Sequence, residues 1–566
     1  MNKHLFISHI TQLKTQSMKL TWIAFLLLGV SLLANAQKYS VILGRPTDKS
    51  ITLSVLFDQN IEYQVEYGIQ SGNYLNKTSI LTESANIPKE FDLEGLSKNT
   101  RYFYRLQYRI KGGTSFSPSP EYSFITARDP GSSFVFTVEA DEHLYDKKGV
   151  DNMYRICLEN QLKDKPDFML SLGDTFGDDH NATTITSAEL KTLHANYRPF
   201  LANISHSVPF YFCMGNHEGE NNYYIKQGPP NNLTIQATLW RKYYYPNPSP
   251  NTFYSGNSEV EDYGVGNPEN YYAWTWGDAL FVVLDAYRYQ SVDGSSEKPK
   301  TWDWTLGKKQ YDWMRSTLES SKAKYKFVFA HHIRGQDRGA ITNAKLYEWG
   351  GYEGDGKTYS FDKNRPGWGK PIHQVFKDTG VSIFFQGHDH LFAKEELDGI
   401  AYQEVPMPSD STYEIGMLAN ADAYTANQLR GTGHIRVAVN PESVKVDFVR
   451  AYLPADVKAG VRQNQEIGFT YTLGKETPNV PNVVLANQQE PKEWLSIKPN
   501  PANDIIEIQV NRPFQRASFS LYNQLGARVL TSESPQLLVK NLPEGTYVLT
   551  AEIDQEMSHQ KILIKH

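Results

Sequence analysis

Cysteine is almost missing from this chain: only Cys157 and Cys213 occur among 566 residues. A fold stapled by several disulfides is excluded, and one bridge is the most that the sequence allows. Long basic runs are missing too. The 57 Lys and Arg stand against 63 Asp and Glu, for a formal net charge of -6. A protein that grips nucleic-acid backbones usually shows a basic stripe, so no nucleic-acid partner is expected. The third lack is a long apolar run. The stretch Trp22–Leu33 is short of the ~20 residues that a membrane-spanning helix needs. Lys19 precedes it and Ala34-Asn35-Ala36 closes it, the pattern of a signal peptide cleaved before Gln37. The mature chain is therefore expected to be exported, with no transmembrane segment. No cysteine directly follows the apolar run, which argues against a lipid anchor there. Export permits a Cys157–Cys213 bridge, but two buried thiols, one on a helix and one on a strand, is the favoured reading.

What the chain has is length and aromatics: 13% Phe, Trp and Tyr, with 35 Tyr. So long a chain exceeds one hydrophobic core, and this aromatic content suits a sheet-rich exported protein. Residues 1–36 are leader and signal peptide. Residues 37–128 read as an all-β module, from the alternation in Ser50–Leu56 and Tyr63–Tyr67 and the Tyr-rich run Arg101–Leu106. Residues 129–455 alternate strand-like and helix-like segments, which predicts an α/β domain with two sheets flanked by helices. Its helical stripes are Tyr154, Cys157, Leu158 and Leu162; Leu190, Leu193 and Tyr197; and Tyr311, Met314 and Leu318. Thr186 and Glu189 have capping-box spacing. Residues 456–487 read as linker and 488–566 as a C-terminal β-sandwich. A long insertion after Glu218 carries Tyr223-Tyr224, Tyr243-Tyr244-Tyr245 and Tyr271-Tyr272, candidates for pocket walls or for plain packing.

The chemistry gathers at the ends of short apolar runs in the middle domain. Asp141-Glu142-His143 follows Phe134–Val138, and Gly173-Asp174 follows Phe168–Leu170. Gly215-Asn216-His217-Glu218 follows Val208–Phe212, His331-His332 follows Phe327–Ala330, and Gly387-His388-Asp389-His390 follows Val381–Phe385. Polar groups just beyond the carboxyl ends of buried strands are where α/β folds place ligand contacts. Oxygen and nitrogen donors without Cys suit Zn, Mn, Fe, Ni, Co or Mg.

The order Asp-x-His, Gly-Asp, Gly-Asn-His-Glu, His, Gly-His-x-His resembles the calcineurin-like metallophosphoesterase family over residues 133 to 450. The resemblance implies a binuclear metal centre. One ion takes Asp141, His143, Asp174 and His390, and the other takes Asp174, Asn216, His331 and His388. Two metals ~3.5–4 Å apart activate a shared water and clamp a phosphate ester. His217 is not a ligand in that pattern; it faces the substrate and assists the leaving group, and Glu218 is expected to orient it. His331 is preferred to His332 as the ligand because it comes first after the strand. Arg334 and Arg338 are candidates for gripping phosphate, against the alternative of surface ion pairs. Asp178, Asp179 and His180 read as a solvated turn, against the alternative that they extend the metal shell. His194, His206, His373 and His434 read as structural or surface residues.

The first module is similar to the fibronectin type III-like N-terminal module of purple acid phosphatases. The metal motif departs from those enzymes, which have Tyr three residues after the bridging Asp where this chain has Gly177. A purple Fe(III)–Tyr centre is therefore not expected. The tail, with Pro499–Asp504 and the closing Lys561–Lys565, resembles a type IX secretion C-terminal sorting domain. It implies the type IX secretion machinery as partner and a secreted or cell-surface location. The resulting expectation is an exported phosphoesterase acting on phosphate esters, with a slight lean to monoesters. A phosphodiesterase acting on nucleotides or lipid headgroups, or a non-catalytic surface binding protein, is the alternative.

Overall fold

The computed structural model describes residues 39–222, 231–290, 301–333, 338–415, 421–458, 461–474, 495–514, 516–522, 528–554 and 556–566. The signal peptide, Tyr223-Tyr224 and Arg334 lie outside the described residues, as do 459–460 and 475–487 of the stretch read as linker.

Two mixed sheets face each other in the middle of the chain. The first has six strands in the order Phe210–Phe212, Phe168–Ser171, Phe134–Glu139, Gly433–Val439, Ser443–Arg450, Ile467–Gly474. Its first three strands are parallel and the rest antiparallel. The second has eight. Its centre is the parallel set Ala279–Val283, Tyr325–Phe329, Ile383–Gln386 and Ile400–Glu404. Phe136, Phe168, Phe281, Phe327, Phe329 and Phe385 fill the space between the sheets with fully buried rings. Strands buried on both faces read as near-continuous apolar runs, as these do.

Helices cover both outer faces. Asp151–Lys163 and Ser187–Ser205 lay Tyr154, Leu158, Tyr197 and Leu201 on Met169 and Phe210 of the first sheet. The second of these helices opens with the Thr186/Glu189 capping box. Lys308–Ser320 and Ile372–Thr379 lay Tyr311, Met314, Leu318 and Phe376 against Val328 and Phe384 of the second sheet. The linker expectation needs correcting at Ile467–Gly474. That segment is the edge strand of the first sheet, with Phe469, Tyr471 and Leu473 packed on the core. Its own alternation (Ile467, Phe469, Tyr471, Leu473) explains why it pairs.

The N-terminal module is two antiparallel sheets sharing one core of Leu53, Val55, Tyr63, Val65, Tyr104 and Leu106. It locks onto the middle domain through Arg198, whose guanidinium donates to Ser40 Oγ (2.8 Å), to the Ser54 carbonyl (2.6 Å) and to the Tyr244 carbonyl. Tyr104 donates to the His206 carbonyl at 2.6 Å. The tail forms two further antiparallel sheets around Ile506, Phe519, Leu549 and Ile562.

The aromatic insertion packs rather than lining a cleft where it is described. Tyr244, Tyr245, Tyr254 and Tyr272 are buried, and Tyr211 stacks on Trp274 at 4.1 Å. Buried Arg241 and Arg288 brace it through Glu220. Cys157 and Cys213 are free and buried.

Candidate metal centre

Five loops carry the expected ligands to one place. Each follows a strand end, so the parallel strands of both sheets deliver their donors to the same edge. Two clusters result, Asp141 with His143 and His390, and Asp174 with His331 and His388, all buried. Asp174 Oδ2 faces both. It lies 3.2 Å from His331 Nε2 and 3.9 Å from His143 Nε2. Asn216 Oδ1 completes the second group, 3.1 Å from His331 Nε2. His390 Nε2 is 3.5 Å from Asp141 Oδ1.

The backbone is distorted to achieve this. Asp141, His143, Asp174, His388 and His390 all have φ between 46° and 76°. Each such non-glycine residue costs roughly 1–3 kcal/mol, and five of the six cluster residues share the strain, which marks a functional site. Gly173 (φ 96°) lets the strands close in, since a Cβ there would overlap the Gly215 amide and the Cys213 carbonyl.

The residues fit metal ions by an independent test. Asp141 Oδ1, His143 Nε2 and His388 Nε2 are buried and make no hydrogen bond within the chain. An unsatisfied buried polar atom costs ~1–3 kcal/mol, and a bound cation removes that cost. The other ring nitrogens are held from behind. His331 Nδ1 is 2.9 Å from the Leu172 carbonyl, and His143 Nδ1 is 2.9 Å from Tyr145 Oη. Such contacts fix which nitrogen is offered to a metal.

Titration follows the burial. Burial, followed by the neighbouring rings of His332 and His331, holds the His388 imidazole well below its ordinary value. It is neutral, as a ligand must be. Burial alone would lower His331 as well, but the Asp174 and Asp141 charges outweigh it and raise His331 to about 9. Burial pushes Asp141 up to about 7, with Asp174 adding to the rise. In Asp174 burial is overcome by His331 and His217, and its carboxyl falls well below the usual range.

His217 projects over the clusters with its side chain a third exposed, its Nε2 3.9 Å from Asp174 Oδ2. The expectation that Glu218 orients it is corrected. Glu218 accepts from the amides of Gly215, Asp174 (2.9 Å), Thr175 (2.7 Å) and Phe176, so it ties two loops together. Asp179 Oδ1 holds His217 instead, at 2.7 Å from Nδ1. Burial works against the imidazolium, yet Asp174 and Asp179 together raise His217 to about 9. The solvated-turn reading of 178–180 therefore fails for both acids. The Asp179 side chain is only 8% exposed. Asp178 is buried, 2.8 Å from His194 Nε2.

Of the remaining candidates, His332 is buried with its ring 4.9 Å from that of His388, outside both clusters. Arg338 is drawn away from a phosphate-gripping role, since it donates to the His388 carbonyl and pairs with Asp389 at 3.1 Å. His434 pairs with Asp164, and His373 lies against Tyr402 and Asp398. Tyr145 was not foreseen. Its ring occupies the space that a side chain at Gly177 would take.

Residues 135–392 match the family model described as Calcineurin-like phosphoesterase, so the chain carries a phosphoesterase domain of that family and is a hydrolase of phosphoric ester bonds. Residues 496–565 match the Secretion system C-terminal sorting domain. No curated protein matches the sequence. Two solved structures share the fold. A structure of PhoD is 17% identical, with TM-score 0.54, over 77% of this chain and 90% of that one. A purple acid phosphatase from yellow lupin (Lupinus luteus) seeds is 14% identical, with TM-score 0.51, over 77% of this chain and 74% of that one. No described helix is long and apolar enough to cross a membrane.

Proposed function

We propose that this chain is an exported, binuclear metal-dependent phosphoesterase, with monoesters as its preferred substrates. The observation that carries the reading is the placement of Asp174 Oδ2 between two buried donor clusters. Asp141, His143, Asp174 and His390 would hold one ion, and Asp174, Asn216, His331 and His388 the other. When bound, the pair supplies Lewis-acid stabilisation of a phosphoryl group and a water made acidic enough to attack at neutral pH. His217 Nε2 stands over the clusters and gives its proton to the departing alkoxide as the P–O bond to the alcohol breaks and water's oxygen takes its place. Asp179 keeps that imidazole protonated and aimed. Glu218 holds the Asp174 loop against the Gly215 loop.

With Arg338 engaged by Asp389, a dianionic monoester depends on the metals and His217 for its charge balance. The N-terminal module, read as fibronectin III-like, braces the middle domain. The tail directs the chain to the type IX machinery, for release or display at the cell surface. The test is hydrolysis of an aryl phosphate monoester beside its bis-aryl diester by the metal-loaded protein, with Asp174→Asn as control. Monoester turnover that disappears in Asp174→Asn supports the reading. Diester preference moves the activity to the phosphodiesterase alternative, and full activity in Asp174→Asn contradicts the proposal.

A further inference from the structure

A cavity of about 380 Å³ opens beside the metal centre, walled by Tyr145, His180, Asn181, Thr184, Ile185 and Leu193. Its volume lies within the range of small-molecule sites. Tyr145 is the shared wall. Its hydroxyl lies 2.9 Å from His143 Nδ1, and its ring is 5.9 Å from the ring of His217 and 6.4 Å from that of His180. The Tyr145 ring packs directly over Gly177, where a Cβ would strike it, which fixes this wall in place. Through Tyr145 the cavity adjoins the His217 side of the clusters, the side of the departing alcohol in the proposed function.

Its lining states what fits. Tyr145, Ile185 and Leu193 offer apolar faces for a flat group. His180, Asn181 and Thr184 offer hydrogen bonds. Among the described residues no Lys or Arg lines it. The one carboxylate at its edge, Glu189, is occupied by the Thr186 amide and hydroxyl at 2.8 and 2.7 Å. The described lining thus offers a second phosphate or another anion no Lys or Arg partner.

We infer that this cavity is the leaving-group pocket, and that the substrate is a phosphate monoester of an alcohol bearing an uncharged, ring-sized group with a hydrogen-bonding edge. The inference rests on the monoesterase reading and deepens it.

The experiment compares kcat/KM for benzyl phosphate and methyl phosphate, whose leaving alcohols are of similar acidity, using the metal-loaded protein. Wild type is expected to prefer benzyl phosphate at least tenfold. Thr184→Trp, at an exposed position on the rim, should lower the benzyl-to-methyl ratio about tenfold. Asn181→Trp, entering from a different point of the rim, is read by the same ratio, which cancels any general loss of activity. A ratio that both substitutions leave unchanged overturns the pocket while the monoesterase reading stands. No turnover of either ester by wild type overturns the monoesterase reading and this inference with it.

Discussion

His217 sits between Asp174 and Asp179, and the two acids set its proton. In the metal-free protein it is raised to about 9 and loses its proton as pH climbs through that value; cations held by Asp174 lower it, and Asp179 is the acid left to sustain the proton. Activity that needs the imidazolium should therefore have an alkaline limb below the metal-free value of about 9, and Asp179→Asn should move that limb to lower pH still, as a pH–rate profile would show. His217→Ala should lower kcat/KM by ~10²–10⁴-fold, more for alkyl than for aryl esters, because a poor leaving group depends most on proton donation. His331 supplies a second pH test. Metal-free, its imidazole is raised to about 9, so a metal must displace a proton to bind. Apparent metal affinity measured by competition with a chelator should rise with pH up to about 9 and level off above it.

At the scale of elements, the site is a set of loops held by shared hydrogen bonds. Glu218 is buried, and burial beside Asp174 pushes its carboxyl up against the amide donors that favour the carboxylate. Glu218→Ala would leave those amides without partners, at a cost of roughly 3 kcal/mol or more. A fall in melting temperature together with weakened metal binding is expected, and an unchanged melting temperature would remove Glu218 from this role. The same loops show what was legible in the sequence. The helices with stripes at Tyr154 and Tyr311 and the Thr186/Glu189 cap were readable because a few neighbouring residues encode them. The apolar runs that present the ligands were readable for the same reason. Asp179, Tyr145 and the true partners of Glu218 were not. Asp179 meets His217, Tyr145 meets Gly177 and His217, and Glu218 meets Thr175, each on a different loop, and no local period records which loop lies beside which. Arg338 looked available for phosphate because its partner, Asp389, lies in another motif. The edge strand Ile467–Gly474 is a different case: its alternation was visible but stood isolated among polar residues.

For the molecule as a whole, the N-terminal module and the middle domain share buried contacts and should unfold together. Arg198 is fully buried at their junction. Arg198→Ala strips three buried partners, which predicts a loss of roughly 3 kcal/mol and separation of one denaturation transition into two. A single unshifted transition would show that Arg198 does not couple the two modules. The most direct test of the central claim is anomalous diffraction from crystals of the metal-loaded protein. The account predicts two metal peaks per chain, about 3.5–4 Å apart, with the Asp174 carboxylate touching both. A single peak, or a pair that Asp174 does not join, would contradict it.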